Sequence, residues 1–333
     1  MTNPALYNNC NISACIITDG ADLDKLFKAV RSCFSSCSEI VICANGKYEE
    51  VKFTFRNYSK VKVFPQVWEN DFAKARNEVM SYASGEWILS LDSDEELLTP
   101  IEFLNTDCDG FRVVVTSMYS NVDNTVLSHR AVRIFRRDKR IKWSNKIHEK
   151  VDASIIENGF KIIDCDIQIF HSGYVDLETV QTKNKRNYQI MLEDVDNPEH
   201  EFNLVRHHSL EKEYDKVMEW GGLVLTNDKY DQNVKAITCI IMAIAYRNGY
   251  NATNESTLML LQSLKFVPYQ LTARVYLIEE LIKYGKKGLK EKVLEQMAII
   301  KEVNQKRNSK LAIDFYMPEK LIDQQIQTIQ TWQ

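Results

Sequence analysis

The chain has 333 residues, 44% of them hydrophobic and 26% charged, with a formal net charge of −4 at pH 7. That length suggests roughly two domains with proper cores, and the weak negative charge, with only short basic clusters at Arg136-Arg137 and Lys183 to Arg186, argues against nucleic acid as a partner. No apolar stretch of about twenty residues is present, which excludes a spanning helix, and the amino terminus shows no basic start followed by an apolar core, so no secretory signal is expected.

Residues 11–18 read as a first strand ending in polar Thr18-Asp19-Gly20. Residues 22–34 place Leu23, Leu26, Phe27 and Val30 at helical spacing, and a second strand, 39–44, stops at Asn45-Gly46. A third strand at 60–64 ends at Pro65. The next helix, 71–83, carries Lys74, Arg76, Asn77 and Glu78 on its expected surface and Phe72, Ala75, Val79 and Tyr82 on its buried side, and closes at Ser84-Gly85-Glu86 with a glycine stop. Strands alternating with helices in this way predict an α/β fold with a doubly wound, mostly parallel sheet.

The central strand is Trp87-Ile88-Leu89-Ser90-Leu91, which runs into Asp92-Ser93-Asp94-Glu95-Glu96. A short apolar run that stops on four carboxylates fits a buried parallel strand whose carboxyl end opens into a ligand crevice. Clustered carboxylates repel one another, and a hard divalent cation such as Mn²⁺ or Mg²⁺, completed by phosphate oxygens, relieves that repulsion. Asp92 and Asp94 are the candidate ligands. The competing reading is a solvated turn in which Ser93 or Asp94 caps a helix. His171, after the apolar run 167–170, is a plausible third ligand or else a residue that merely ends a strand.

The run Trp68-Glu69-Asn70-Asp71-Phe72-Ala73-Lys74-Ala75-Arg76-Asn77, then Gly85-Glu86-Trp87-Ile88-Leu89 and Asp92-Ser93-Asp94-Glu95, resembles glycosyltransferase family 2, in particular a bacterial branch with a helical repeat region behind the catalytic domain. Arg133-Ile134-Phe135-Arg136, Lys146-Ile147-His148-Glu149, Ile169-Phe170-His171-Ser172-Gly173-Tyr174 and Lys183-Asn184-Lys185-Arg186-Asn187 follow in the same order. The resemblance implies a GT-A, Rossmann-like domain that uses a UDP-sugar donor with Mn²⁺ or Mg²⁺. It implies Asp92, with Ser93, on the nucleotide side and Asp94 on the metal, Thr18 and Asn45 beside base and ribose, and Arg76 or Asn77 toward the diphosphate. Where the family usually has Asn-Glu and Asp after its first two strands, this chain has Thr18-Asp19 and Asn45-Gly46, so Asn45 offers only a neutral contact.

Transfer to a hydroxyl or thiol needs a base, and members of the family invert the anomeric centre with one carboxylate in that role. Glu149 is the first candidate, with a charged surface position as its plain alternative; Glu95 and Glu96 stand behind it. The expected catalytic pair is therefore Glu149 and Asp94.

Beyond Val175 no strand is convincing. Residues 177–192, 202–214, 215–225, 234–246, 257–264, 271–284 and 289–303 read as amphipathic helices at paired spacing, resembling degenerate tetratricopeptide hairpins. The expected organisation is a catalytic domain over 1–190 and an all-α domain over 191–333 that grips a polypeptide acceptor or forms a homodimer, with a glutamine-rich last helix at 320–333. Eight cysteines without a Cys-x-x-Cys pair suggest reduced, mostly buried thiols and a cytoplasmic location. Three functions follow: transfer of a hexose or N-acetylhexosamine, glucose or N-acetylglucosamine favoured, to Ser, Thr or Cys of a polypeptide such as a flagellin or bacteriocin precursor; the same chemistry on a saccharide or lipid-linked acceptor; or a non-catalytic scaffold on a decayed transferase domain.

Overall fold

Side chains alternate along β1 (Ile12–Thr18) and β2 (Glu39–Ala44), and both resulting faces are largely apolar, so each has to be covered. On one face α1 (Leu23–Cys33) and α2 (Tyr48–Phe55) pack Leu26, Val30, Val51 and Phe55 against Ile12, Ile16, Ile40 and Ile42. On the other, α3 (Phe72–Ser81) packs Ala75 and Val79 against Cys15, Ile17, Val41 and Cys43. This computed structural model describes residues 11–101, 107–118, 126–172, 177–283, 290–306 and Gln327.

The remaining strands are β3 (Val61–Pro65), β4 (Trp87–Asp92), β5 (Glu95–Leu97), β6 (Gly110–Met118), β7 (Val126–Arg136) and β8 (Ile162–His171), with α4 (Asp152–Glu157) before β8. They form one sheet in the order β3-β2-β1-β4-β7-β6-β8-β5. Pairing is parallel from β3 through β4 and between β6 and β8, and antiparallel at β4-β7, β6-β7 and β5-β8. The sheet is thus mostly parallel, as expected.

Sheet order and chain order together dictate a curl. Four interstrand steps at about 4.8 Å would separate β4 from β5 by roughly 19 Å in a flat sheet. Asp92 and Glu95 are joined by Ser93 and Asp94 alone, a span of at most about 11 Å. The β7-β6-β8 ribbon therefore bends round until β5 comes back beside the end of β4.

Asp22 and Asp71 cap α1 and α3, accepting from the Lys25 and Lys74 amides at 2.9 and 2.7 Å. The expected glycine stop is corrected: α3 ends at Ser81, with Tyr82 still in helical conformation. Gly85 is instead a point of close approach, since a Cβ there would lie 2.6 Å from Ser13 Oγ and 2.8 Å from the Asn11 carbonyl oxygen. Helix α2 was not among the expected elements; it is only eight residues long and no side chain caps it.

The chain divides into two compact units, Met1–Asp194 and Val195–Gln333. The first ends with α5 (Leu177–Glu193). The second contains α6 (His200–Leu210), α7 (Tyr214–Thr226), α8 (Gln232–Gly249), α9 (Thr253–Phe266), α10 (Leu271–Lys283) and α11 (Lys290–Lys306), each packed on the next. Except for Gln327, residues 320–333 lie outside the described residues. No helix among the described residues is long and apolar enough to cross a membrane. Cys15, Cys33, Cys37, Cys43, Cys108, Cys165 and Cys239 are free thiols, all buried except the partly buried Cys165.

Candidate active site

Ile17 of β1 pairs with Asp92 of β4, and Thr18 pairs with Ala44 of β2. Asn45, Thr18 and Asp92 therefore lie in a row at the carboxyl edge of the sheet, where open α/β sheets take ligands. Thr18 is buried and its hydroxyl accepts from the Gly20 amide at 3.0 Å, while the Asn45 amide donates to the Thr18 carbonyl at 2.9 Å. Gly46 is pressed so closely on Asp19 that a Cβ would fall 2.1 Å from its carbonyl oxygen. The Thr18 side chain thus shapes the turn beneath any ligand rather than reaching out to it.

Asp92 ends β4 held through both oxygens. Arg76 Nη2 donates to Oδ1 at 2.6 Å and Arg133 Nη2 to Oδ2 at 3.4 Å. Burial alone would raise the Asp92 pKa, but Arg76 and Arg133 outweigh it and hold the carboxyl well below the usual range. Arg76 also donates through Nε to Glu149 Oε1 at 2.6 Å and through Nη1 to Ser90 Oγ at 3.2 Å. Its side chain is only 7% exposed. Burial works against the charge, and the carboxylates of Asp92 and Glu149 restore it and push the Arg76 pKa above its ordinary value. The surface position expected for Arg76 is corrected: its side chain is buried and its donors meet Asp92, Glu149 and Ser90.

Arg133 has no counterpart among the expected site residues. Phe111 of β6 pairs with Ile134 and Arg112 with Val132, so Arg133 is the extra residue of a bulge in β7. Such a bulge re-aims a side chain. Its guanidinium meets Glu95 Oε1 at 2.7 Å as well as Asp92. Glu95 is buried, accepts the Asp92 amide on Oε2 at 3.0 Å, and has its pKa raised by burial against the pull of Arg133. Both Glu95 oxygens are thus engaged within the cluster. Glu96, the other alternative, is half-buried on β5. The sequence signal for Arg133 is a lone cation inside the apolar run 131–135.

Asp94 follows the turn at Ser93. Its carbonyl accepts from the Ser172 amide and hydroxyl at 3.0 and 3.1 Å, and the β5-β8 register sets Glu95 opposite His171. His171 Nε2 consequently lies 3.4 Å from Asp94 Oδ1, with Nδ1 3.3 Å from Ser117 Oγ. Burial pulls the His171 pKa down, but the Asp94 hydrogen bond and the charges of Asp94, Glu95 and Asp92 raise it overall. Asp94 and His171 fit two positions on a divalent ion. Asp92 faces Arg76 and Arg133 instead, and among the described residues no three His, Cys, Asp or Glu side chains are arranged to hold a metal.

Glu149 arrives on a loop shaped by two non-glycine residues in left-handed conformation, Asn145 and His148, at φ of 72° and 52°. The loop is closed by reciprocal amide–carbonyl bonds between Ser144 and Lys150 at 3.0 and 3.1 Å, and tied to α3 by the Phe72 amide on the Lys146 carbonyl at 2.8 Å. The Asn77 amide is bonded both ways to the Trp143 backbone, at 2.9 Å each.

A mostly parallel α/β sheet with these carboxylates gathered at its carboxyl edge is the arrangement expected of a GT-A domain. Residues 15–167 match the family model described as glycosyl transferase family 2. Among curated relatives, the SPbeta prophage-derived glycosyltransferase SunS of Bacillus subtilis is 24% identical over 259 residues, 70% of this chain and 60% of SunS. A TPR repeat-containing protein of Synechococcus elongatus is 27% identical over 150 residues, 44% of this chain and 36% of that protein. The chain thus spans about 60% of the length of the first of these. Among solved structures, S. aureus TarS 1-349 in complex with UDP-GlcNAc aligns with 81% of this chain and 89% of its own, at 13% identity and a TM-score of 0.40.

Proposed function

We propose that the protein is an inverting, metal-dependent glycosyltransferase that moves a hexose or N-acetylhexosamine, with glucose or N-acetylglucosamine favoured, from a UDP-sugar to Ser, Thr or Cys of a polypeptide. The observation that carries this is the gathering of Asp92, Asp94, His171 and Glu149 at one edge of a sheet that matches the family 2 model over residues 15–167. In the reaction the acceptor oxygen or sulfur attacks the anomeric carbon, the bond from that carbon to the diphosphate oxygen breaks, and UDP leaves. The acceptor proton passes to Glu149, whose Oε1 is held by Arg76 and whose Oε2 remains to receive it. Asp94 and His171 are the residues suited to hold Mn²⁺ or Mg²⁺, which when bound supplies charge to the departing diphosphate. Thr18 and Asn45 set the floor under the nucleoside.

The helical unit, with its successive packed helices, has the construction of an acceptor-binding array. The free thiols among the described residues support a reducing, cytoplasmic setting. The test is incubation with UDP-glucose or UDP-N-acetylglucosamine and Mn²⁺, followed by UDP release. Slow release that disappears in Asp94→Ala is expected. Absence of any metal-dependent UDP binding would replace the enzyme with a scaffold. Intact-mass measurement of polypeptides encoded by neighbouring genes, co-expressed with this chain, identifies the acceptor by a gain of one hexose or one N-acetylhexosamine; no gain on any polypeptide would point to a saccharide or lipid-linked acceptor.

A further inference from the structure

We infer that Arg76, with Asn77 beside it, is the positioning residue that docks the base-carrying loop onto the sheet and fixes Glu149 relative to Asp92. The inference rests on the transferase reading above and adds to it a residue that touches neither donor nor acceptor. Two consecutive residues of α3 grip the 143–149 segment at both ends. Asn77 completes a two-point amide clamp with the Trp143 peptide, and the Arg76 guanidinium carbon lies 5.0 Å from the centre of the Trp143 ring before its Nε reaches Glu149.

The other side of the same guanidinium is anchored in β4, through Ser90 and Asp92. A guanidinium is planar and its donors lie in a fixed fork. Its Nε and Nη2 form the edge that usually grips a single carboxylate; here that edge is divided between Glu149 and Asp92. Two carboxylates drawn to one edge would repel each other without it. Arg76 therefore converts a repulsion into a defined spacing between the nucleotide-side carboxylate and the base. Lysine, with a point charge on a flexible stem, can neutralise both carboxylates but cannot impose that spacing.

The experiment compares Arg76→Gln, Arg76→Lys and Asn77→Ala in the full chain, reading UDP release from the UDP-sugar that the wild type turns over. Donor KM, UDP affinity and melting temperature are measured alongside. A displacement of about 1 Å at a reacting group costs on the order of 100-fold in rate. Arg76→Gln is therefore expected to lose about 100-fold in kcat with donor KM and UDP affinity within about threefold of wild type. Arg76→Lys should recover only part of that loss. Asn77→Ala, which leaves both carboxylates and Arg76 intact, should lose about tenfold, again in kcat alone, and it carries the test if Arg76→Gln does not fold. The assignment is overturned if the folded variants keep wild-type kcat and lose only melting temperature, or if the loss falls on KM and UDP affinity. A wild-type chain that releases no UDP would overturn the transferase reading instead.

Discussion

Glu149 and Arg133 have opposite needs at this site. Glu149 needs one free oxygen; Arg133 is needed because Glu95, 2% exposed in its side chain, would otherwise be a buried carboxylate without a cation. Glu149→Gln keeps an acceptor for Arg76 but cannot take a proton, so donor turnover should fall by about 10² to 10⁴ while UDP affinity by calorimetry stays at the wild-type value. Turnover near wild type would remove Glu149 from the base role. Arg133→Met should instead cost about 3 to 5 kcal/mol in urea unfolding, because it leaves buried negative charge unpaired; a change within 1 kcal/mol or so would show that the pair adds nothing. Asp92, Asp94 and His171 stand out in the sequence as polar residues at the ends of apolar runs, whereas Glu149 lies in a polar segment and has no such marker. Arg76 was misassigned to the surface because helical periodicity classes arginine as polar and is blind to two carboxylates arriving from β4 and from a loop 73 residues away. Arg133 stands out as a lone cation in an apolar run, but its direction was not legible because a bulge, which has no sequence period, aims it.

The strand ends opposite the candidate site are held by Glu39, at the start of β2. It accepts from Ser13 of β1 at 2.5 Å, Lys62 of β3 at 2.7 Å, and both the amide and hydroxyl of Ser84, just before β4. Burial pushes the Glu39 pKa up, but these hydrogen bonds outweigh it and bring it from an ordinary 4.5 down to about 2. A folded pKa below the unfolded one means stability that is fully present above pH 4.5 and lost as pH falls toward 2. The magnitude is about 3 kcal/mol. Wild type should show that acid slope in unfolding experiments and Glu39→Gln should lack it; equal slopes would sink the assignment. Gly85→Ala, which places a methyl against the β1 backbone, should cost about 1 to 3 kcal/mol with UDP affinity unaltered in the folded fraction. The strands and long helices were legible because apolar runs and 3.6-residue periods span them. Helix α2 was not, since eight residues with Val51 and Phe55 buried give too short a period to register.

Each unit closes its own apolar cores: two on the faces of the sheet, and three between successive helices of the second unit. A unit that buries its apolar surface internally has the means to fold by itself. The change from alternating strands and helices to helices alone was visible in the sequence, whereas the curl that returns β5 to β4 was not, because it follows from strand order and not from any local pattern. All the residues proposed for donor chemistry belong to the first unit, and the acceptor role is assigned to the second. A fragment covering residues 1–194 should therefore bind UDP and release it from the donor at a rate within about threefold of the full chain. Toward a polypeptide that gains mass with the full chain, the same fragment should lose transfer by about 100-fold or more, since proximity supplied by a separate binding surface is removed. Restored transfer at high peptide concentration would mark the second unit as the grip. Undiminished transfer by the fragment at low peptide concentration would assign acceptor recognition to the sheet domain and leave the helices with another task.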